Sequence, residues 1–273
     1  MGNIIHELQN MTYLNWSQIR NSSGTAGSFL KAYSEIGGRK MYYKISNYDS
    51  INGVTGHECV NEIIADRILD VLGIDHLSYT LVNAEILVDG KPLKTYICMS
   101  ENFRNKNESK IALDAFYDME KAKNESPLEF CIRNGWEKYI YEMLVFDFLI
   151  LNRDRHGANI EVLRDTKRKT IRLAPLFDHG LSLLSLCRDA KMYSEYDVMA
   201  DRPVQCFVGS HSALENLKLI PKNAFPALTA LKESDKDKIM DGLDEIIPKQ
   251  LSEKIWEMIW NRWCYYENIR NKK

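Results

Sequence analysis

A polar segment near the middle of the chain places the strongest constraint on the fold. An apolar stretch at 136–151 precedes it, and a helix that is apolar nearly all round is expected to be buried. The segment itself reads Asn152-Arg153-Asp154-Arg155-His156-Gly157-Ala158-Asn159. Two runs typical of strands follow at 160–163 and 170–174, joined by a charged turn, and lead into Phe177-Asp178-His179-Gly180. The sequence therefore predicts a buried helix, a polar loop, a hairpin and an Asp-x-Gly turn, in that order.

This order supplies the side chains that phosphoryl transfer from ATP requires. One carboxylate must orient or deprotonate the acceptor hydroxyl, while an amide oxygen and a second carboxylate hold Mg²⁺ against the phosphates. The short loop lets Asp154 and Asn159 face one point, and the hairpin returns the chain so that Asp178 meets Asn159. We therefore predict Asp154 as the catalytic base, and Asn159 and Asp178 as magnesium ligands. Gly180 is expected to permit the backbone turn that follows Asp178.

Two residues inside the loop each have two interpretations. His156 is a candidate catalytic base, because imidazole titrates near neutral pH. It is also a candidate structural residue that hydrogen-bonds the loop backbone, and this second role is favoured because Asp154 already occupies the base position. Arg155 either contacts phosphate or braces the loop, and the sequence leaves both roles open.

The first part of the chain is predicted to bind the nucleotide. A run of small residues at 22–28 precedes a strand at 29–34, a Gly37-Gly38 turn and a strand at 40–45. Lys44 alternates with Tyr43 and Ile45, so it points to the opposite face of its strand, as a lysine that binds the α/β-phosphates must. The run is not a Walker A loop, because no Gly-Lys-Ser/Thr follows it. Its backbone N–H groups are candidates for phosphate contacts, namely those of Ser23, Gly24, Thr25, Ala26, Gly27 and Ser28.

A helix is predicted at 56–72, because apolar residues recur there at spacings of three and four. Gly73 suits its C-terminal cap. The helix carries Glu58 and Glu62, either of which is a candidate partner for Lys44, and the helical wheel selects neither clearly. Strands are predicted at 79–88 and 95–99 with a turn at 89–92, followed by a polar crossing between lobes at 100–107. Adenine is expected to stack against the second strand and to bond the backbone near Met99 and Glu101.

Composition excludes several classes of function. Hydrophobic residues make up 45% and charged residues 27% of the 273 residues, which is typical of a soluble globular protein. A formal net charge of -2 supplies no global attraction to nucleic acid or to an anionic membrane. The six cysteines are dispersed, which predicts buried or half-buried thiols rather than disulfides or a zinc site. No apolar run approaches the roughly 20 residues that span a bilayer. We therefore expect a cytoplasmic protein with no direct contact to nucleic acid or membrane.

These motifs resemble those of the HipA-like serine/threonine kinases. The shared features are the loop at 22–28, Lys44, Asn61-Glu62 on a helix, Asn152-x-Asp154-x-His156-x-x-Asn159 and Phe177-Asp178-His179-Gly180. The loop Asp154-Arg155-His156-x-x-Asn159-Ile160 is also similar to that of phosphatidylinositol 3- and 4-kinases.

The resemblance implies an ATP- and Mg²⁺-dependent kinase that acts on serine or threonine of a protein substrate, with Glu62 as the family-matched glutamate. It also implies an antitoxin-like regulator, and autophosphorylation of the loop at Ser22, Ser23 or Ser28 that switches the enzyme off.

The fold class that follows is α+β, a two-lobed protein-kinase-like fold. A strand-rich N-lobe is expected at 1–101 and a mainly helical C-lobe at 102–273, ending in a helix at 251–269 with Trp256, Trp260 and Trp263 in its core stripe. Three other functions remain open. The same loop serves lipid and small-molecule kinases, a nucleotide-binding pseudokinase would act as an interaction module, and a toxin-system kinase would be restrained by a partner.

Overall fold

The structure is a computed structural model that describes residues 2–17 and 29–272. Its strands are β1 Ile4–Asn10, β2 Lys31–Ile36, β3 Arg39–Ile45, β4 Tyr48–Asp49, β5 Gly53–Val54, β6 Tyr79–Val88, β7 Lys91–Glu101, β8 Glu108–Ala112, β9 Asp154–Arg155, β10 Glu161–Asp165, β11 Thr170–Leu173 and β12 Gln205–Cys206. Its α-helices are α1 Glu58–Leu72, α2 Leu113–Glu120, α3 Pro127–Arg133, α4 Glu137–Ile150, α5 Ala190–Glu195, α6 Ala213–Leu217, α7 Asp235–Met240 and α8 Lys249–Asn271. A short 3₁₀ helix spans Gly157–Asn159.

The N-terminal part is built on one sheet with the strand order β1-β6-β7-β3-β2. The hairpin of β2 and β3 turns at Gly37 and Gly38, whose φ values of 58° and 77° suit glycine, so the predicted strand, turn and strand are confirmed. The strand predicted at 95–99 extends over Lys91–Glu101, because only Asp89 and Gly90 form the turn. Strand β7 lies at the centre of the sheet but is its last strand in chain order, and the proposed boundary between the lobes follows it.

Helix α1 packs beneath this sheet and is buried on nearly every side. Its apolar residues Ile63, Ile64 and Ile68 are fully buried, and Gly73 caps its C-terminus in the left-handed conformation with φ 73°. Polar residues of the same helix are buried as well, among them Asn61 and Glu62. A buried polar group is costly unless it is hydrogen-bonded, so α1 must find partners for these side chains in other elements.

The C-terminal part is mainly helical and surrounds α4. This helix is buried over most of its length, as its uniform apolarity predicts. Helix α8 packs against it. Trp256 and Trp263 of α8 are 6% and 3% exposed, so the predicted core role of the tryptophan stripe is confirmed for these two. Trp260 stacks on Trp256 with ring centroids 6.0 Å apart.

Three features differ from the expectations. The segment at 100–107 is not wholly a crossing, since Ser100 and Glu101 still belong to β7. Strand β8 follows it and pairs with β10 of the hairpin rather than with the large sheet. Cys264 is exposed, whereas the sequence predicted buried or half-buried thiols; the other cysteines are buried or half-buried, and all are free.

Among the described residues, none of the helices is both long and apolar enough to span a bilayer.

Candidate active site

Three charged side chains from distant parts of the chain meet beneath the sheet. Lys44 on β3 lies between the buried residues Tyr43 and Ile45, and the two-residue period of the strand directs it to the other face. Its Nζ lies 2.6 Å from Oε1 of Glu62 and 2.8 Å from Oδ1 of Asp178. Burial alone would lower the pKa of this lysine, but Asp178 and Glu62 more than offset burial and hold the pKa well above 10.5. Lys44 is therefore a cation held by two carboxylates.

The structure separates the two glutamates that the sequence left open. Glu62 is fully buried and contacts Lys44, and its Oε2 accepts a hydrogen bond of 2.8 Å from the N–H of His179. Burial raises the pKa of the Glu62 carboxyl, and the Lys44 ammonium opposes this shift. Glu58, one turn earlier, instead accepts from the N–H of Asn47 at 3.0 Å. Glu62 is thus the partner of Lys44, and Glu58 ties α1 to the loop after β3.

The segment around Asp178 is held in an uncommon conformation by side chains. Asp178 has φ 58°, in the left-handed region that few non-glycine residues adopt. Its N–H donates to the hydroxyl of Tyr79 at 3.2 Å. Asn61 donates to the carbonyls of Gly180 and Ser182 at 2.9 and 3.0 Å. Helix α1 and β6 therefore hold this turn from two sides.

Gly180 serves the site by its small size. The predicted backbone turn is made by Asp178 itself, because positive φ occurs at Asp178 and not at Gly180. A Cβ at position 180 would lie 3.1 Å from both the Nζ of Lys44 and the Cβ of Glu58. Glycine therefore lets α1 and the lysine approach the backbone closely.

The polar loop lies between α4 and the hairpin, as predicted. The Nδ2 of Asn159 donates to the backbone carbonyl of Asp154 at 2.7 Å and lies 3.3 Å from its Oδ2. His156 accepts a hydrogen bond of 3.2 Å from the N–H of Ala158 through Nδ1, and its Nε2 lies 3.5 Å from Oδ1 of Asp154. These contacts fit the structural role of His156, which caps the 3₁₀ helix and borders the carboxylate of Asp154.

Arg155 is buried and joins the polar loop to the Asp178 segment. It forms a bidentate pair with Asp147 of α4, at 2.8 and 2.9 Å. Its Nη1 donates to the carbonyls of Asn159 and Phe177, at 3.1 and 3.0 Å. A single guanidinium nitrogen therefore links Asn159, one predicted magnesium ligand, to Phe177, which precedes the other predicted ligand, Asp178. Of the two roles that the sequence left open for Arg155, the structure shows bracing of the loop.

Two residues near the site carried no sequence signal. Asp147 interrupts an apolar helix, and its pairing with Arg155 and its hydrogen bond from Asn152 explain its position. Lys31 lies opposite Lys44 in the pairing of β2 with β3, and its Nζ is 4.0 Å from Oδ2 of Asp178. A second lysine therefore approaches the same carboxylate, which places additional positive charge beside the predicted phosphate site.

A cavity of about 460 Å³ opens beside Asp154. Strand β12 pairs in parallel with β9 and forms part of its wall, and the backbone of Arg153 is bonded on both sides, to Leu181 and to Gln205. The lining mixes apolar and polar side chains and comprises Arg153, Asp154, Leu181, Ser185, Leu186, Pro203, Val204, Gln205 and His211.

The remaining predicted nucleotide contacts lie in β7 and in the segment before β2. Met99 lies within the sheet between Tyr43 and Thr80, and Glu101 is the last residue of β7, where its side chain pairs with Arg39 at 3.1 Å. The predicted phosphate loop with Ser23, Gly24, Thr25, Ala26, Gly27 and Ser28 lies outside the described residues.

The donor set fits a hard divalent cation. Magnesium prefers oxygen ligands, often one or two carboxylates, and Asp154, Asn159 and Asp178 offer only carboxylate and amide oxygens. Because the amide nitrogen of Asn159 donates to Asp154, its amide oxygen is the atom that remains for a cation. The described residues around the predicted site therefore suit Mg²⁺.

The fold is similar to that of a known kinase. The structure matches the crystal structure of the Helicobacter pylori proinflammatory kinase CtkA over 97% of this chain and 96% of that chain, with a TM-score of 0.60 and 16% sequence identity. A second match is a complex of the Shewanella oneidensis MR-1 toxin–antitoxin proteins HipA and HipB with operator DNA, which covers 90% of this chain and 58% of that chain, at a TM-score of 0.41 and 14% identity. No protein-family model and no curated protein matches the sequence. The chain therefore has an α+β, kinase-like fold similar to that of CtkA, and the fold class predicted from its motifs is confirmed.

Proposed function

We propose that the protein is an ATP- and Mg²⁺-dependent protein serine/threonine kinase. The observation that carries the proposal is the convergence of two groups of side chains. One group is Lys44, Glu62 and Asp178, and the other is the loop with Asp154 and Asn159. Arg155 connects the two groups through its hydrogen bonds to the carbonyls of Asn159 and Phe177. The fold that surrounds both groups is kinase-like.

Nucleotide binding is assigned to the face that carries Lys44. Its ammonium would contact the α/β-phosphates, and Glu62 would hold it in place. Lys31 adds a second positive charge on the same side. Asn159 and Asp178 would hold Mg²⁺, which would neutralise the negative charge of the phosphates. The predicted loop at 22–28 and the backbone near Met99 and Glu101 complete the proposed nucleotide site.

Asp154 is assigned as the residue that orients the acceptor hydroxyl and accepts its proton. General-base catalysis by a positioned side chain contributes typically about 10²–10⁴-fold in rate. The N–H of Asp154 donates to Oδ1 of Asn152 at 3.2 Å, and Asn152 donates in turn to Asp147. The base is therefore supported by buried hydrogen bonds that begin in α4, and His156 borders it as a positioning residue.

The acceptor is assigned to the cavity beside Asp154. Its volume of about 460 Å³ is that of a site for one or a few side chains. Apolar walls from Leu186 and Pro203 alternate with polar groups such as Gln205, which suits a peptide segment that carries a hydroxyl residue. Autophosphorylation of Ser22, Ser23 or Ser28 and an antitoxin-like regulator remain predictions from the sequence resemblance.

The function is tested by incubating the purified protein with γ-labelled ATP and Mg²⁺, with a parallel sample that contains excess EDTA. Protein mixtures, phosphoinositide vesicles and small hydroxyl compounds are offered as acceptors in separate reactions. Phosphoserine or phosphothreonine formed only with Mg²⁺ would support the proposal. Transfer confined to lipids or small compounds would replace the substrate class, and ATP binding without any transfer would favour a pseudokinase.

A further inference from the structure

A second cluster of ligating groups lies on the C-terminal half of α1 and in the turn that follows the helix. Asp66 and Asp70 are four residues apart, so they share one face of the helix. The chain turns at Gly73 and returns His76 to that face. One atom from each of these three side chains lies within 4.8 Å of the other two.

The tautomer of His76 is set by a backbone hydrogen bond. Its Nδ1 lies 2.8 Å from the carbonyl oxygen of Ile74, a group that can only accept, so Nδ1 carries the proton. In the neutral ring, Nε2 therefore holds the lone pair. The side chain is 8% exposed, and Nε2 is buried without a hydrogen-bond partner among the described residues. A histidine that donates one ring N–H to a carbonyl and presents the other nitrogen is the arrangement usual for metal ligands.

The distances suit a metal better than a hydrogen bond. Nε2 of His76 lies 3.4 Å from Oδ1 of Asp66 and 3.8 Å from Oδ1 of Asp70. Both distances exceed the usual N–H···O range of about 2.7–3.2 Å. Ligands about 2.0–2.1 Å from a tetrahedral zinc ion lie roughly 3.3 Å from one another. Asp66 already has this spacing, and Asp70, whose side chain is 62% exposed, is free to adjust.

Outer hydrogen bonds hold Asp66 in the orientation of a ligand. Its Oδ1 accepts from the N–H of Tyr79 at 2.9 Å, and its Oδ2 accepts from Nδ2 of Asn3 at 2.8 Å. Carboxylates that bind metals are commonly fixed by such bonds. Asn3 also accepts from Nε of Arg67 at 2.9 Å, so this support extends into α1.

We propose that His76, Asp66 and Asp70 form a binding site for a Zn²⁺-class divalent cation, with water as the fourth ligand. The site is separate from the magnesium ligands that the proposed function assigns. It is connected to them through the backbone, because His76 forms a β-bridge with Leu176 and the N–H of Leu77 donates to the carbonyl of Leu176 at 2.8 Å. Occupancy therefore stabilises the segment that leads into Asp178.

The test is calorimetric titration of the metal-free full chain with Zn²⁺ in excess Mg²⁺, which saturates the proposed active site. The protein carries Cys264→Ser, because Cys264 is an exposed thiol that would bind zinc on its own. The variants are His76→Ala and Asp70→Asn, with Asp75→Asn as a neighbouring exposed control. We expect one bound zinc per chain in the parent and the control, at least tenfold weaker binding for Asp70→Asn, and loss of this binding for His76→Ala.

Thermal unfolding with and without Zn²⁺ provides a readout that is independent of activity, since a ligand of the native state raises Tm. Circular dichroism of each variant confirms that it is folded. Equal zinc affinity in all four proteins would overturn the proposal. An imidazole NMR signal of His76 that is unchanged by Zn²⁺ would also overturn the proposal. It would show that the ring is protonated and paired with the two carboxylates rather than bound to zinc. Failure of the kinase assay would leave this result untouched.

Discussion

The Nζ of Lys44 and Oε1 of Glu62 lie 2.6 Å apart, although the two residues belong to different elements and Glu62 is fully buried. This contact joins the sheet to α1. The same ammonium reaches Asp178, so the lysine connects α1 to the segment after the hairpin. The site depends on this pair, because neither buried charge would be tolerated alone.

Glu62→Gln is expected to weaken Mg²⁺-dependent ATP binding about 10- to 100-fold, because hydrogen bonds to charged groups contribute roughly 1.5–3 kcal/mol. Glu58→Gln is the matched control on the same helix, since Glu58 bonds Asn47 instead of Lys44. Its ATP affinity should stay within about threefold of the parent value by titration calorimetry. An equal loss in both variants would contradict the assignment of Glu62.

Asp147→Asn is expected to reduce the free energy of unfolding by about 3–5 kcal/mol, because it leaves the buried Arg155 charge without its partner. Asp118→Asn is the control, since Asp118 and Lys121 form an exposed pair of a kind that contributes at most about 1 kcal/mol. Urea denaturation measures both values. Similar small losses in the two variants would show that Arg155 does not brace the loop.

Gly157→Ala is expected to displace the polar loop. A Cβ at this position would lie 2.4 Å from the Cβ of Asp114 and 2.8 Å from its backbone nitrogen, so the start of α2 would have to move. Overpacking of this kind costs about 1–3 kcal/mol, and we also expect a fall in the transfer rate because Asp154 and Asn159 flank the glycine. Gly2→Ala, whose nearest neighbour would be 3.9 Å away, should change neither quantity. Unchanged stability in Gly157→Ala would refute this packing.

His57 is expected to make the protein less stable in acid. Burial, reinforced by Arg188, lowers its pKa from 6.5 to about 4. Below about pH 6.5 this histidine is protonated in the unfolded chain, whereas in the folded chain it stays neutral down to about pH 4. The contribution of His57 to the free energy of unfolding is therefore greatest above pH 6.5 and decreases as the pH falls from 6.5 to 4. The free energy of unfolding, measured by urea denaturation, should differ between pH 7.5 and pH 5 by on the order of 1–2 kcal/mol less in His57→Gln than in the parent. An identical pH dependence in both proteins would show that His57 is not the group responsible.

The sequence predicted those parts of the site that follow from local periodicity and chain order. The alternation of Tyr43, Lys44 and Ile45 identified the inward lysine, and the hairpin placed Asp178 after the polar loop. The glutamate partner was not predictable from a helical wheel, because α1 is buried on its polar side as well as its apolar side. A helical wheel separates a buried apolar face from an exposed polar face, and α1 has no exposed polar face of this kind.

Other features depend on contacts between residues far apart in sequence. Strand β1 was missed because its partner is β6, and a strand at a sheet edge with a mostly exposed pattern carries little hydrophobic signal. In the sequence, Asp147 only interrupts an apolar helix, and its role depends on its pairing with Arg155 in the folded chain. The position of Lys31 beside the site follows from the pairing of β2 with β3, which places it opposite Lys44. In each case tertiary pairing decides the role of the residue.

The central claim, phosphoryl transfer with Asp154 as the base, is tested most directly by comparing the parent protein with Asp154→Asn and Asp118→Asn. Each protein is incubated with γ-labelled ATP, Mg²⁺ and whichever acceptor the proposed acceptor reactions identify, and ATP affinity is measured in parallel. We predict that Asp154→Asn keeps its fold and binds ATP with parent affinity but transfers phosphate about 10²–10⁴-fold more slowly, while Asp118→Asn matches the parent. An undiminished rate in Asp154→Asn would contradict the account.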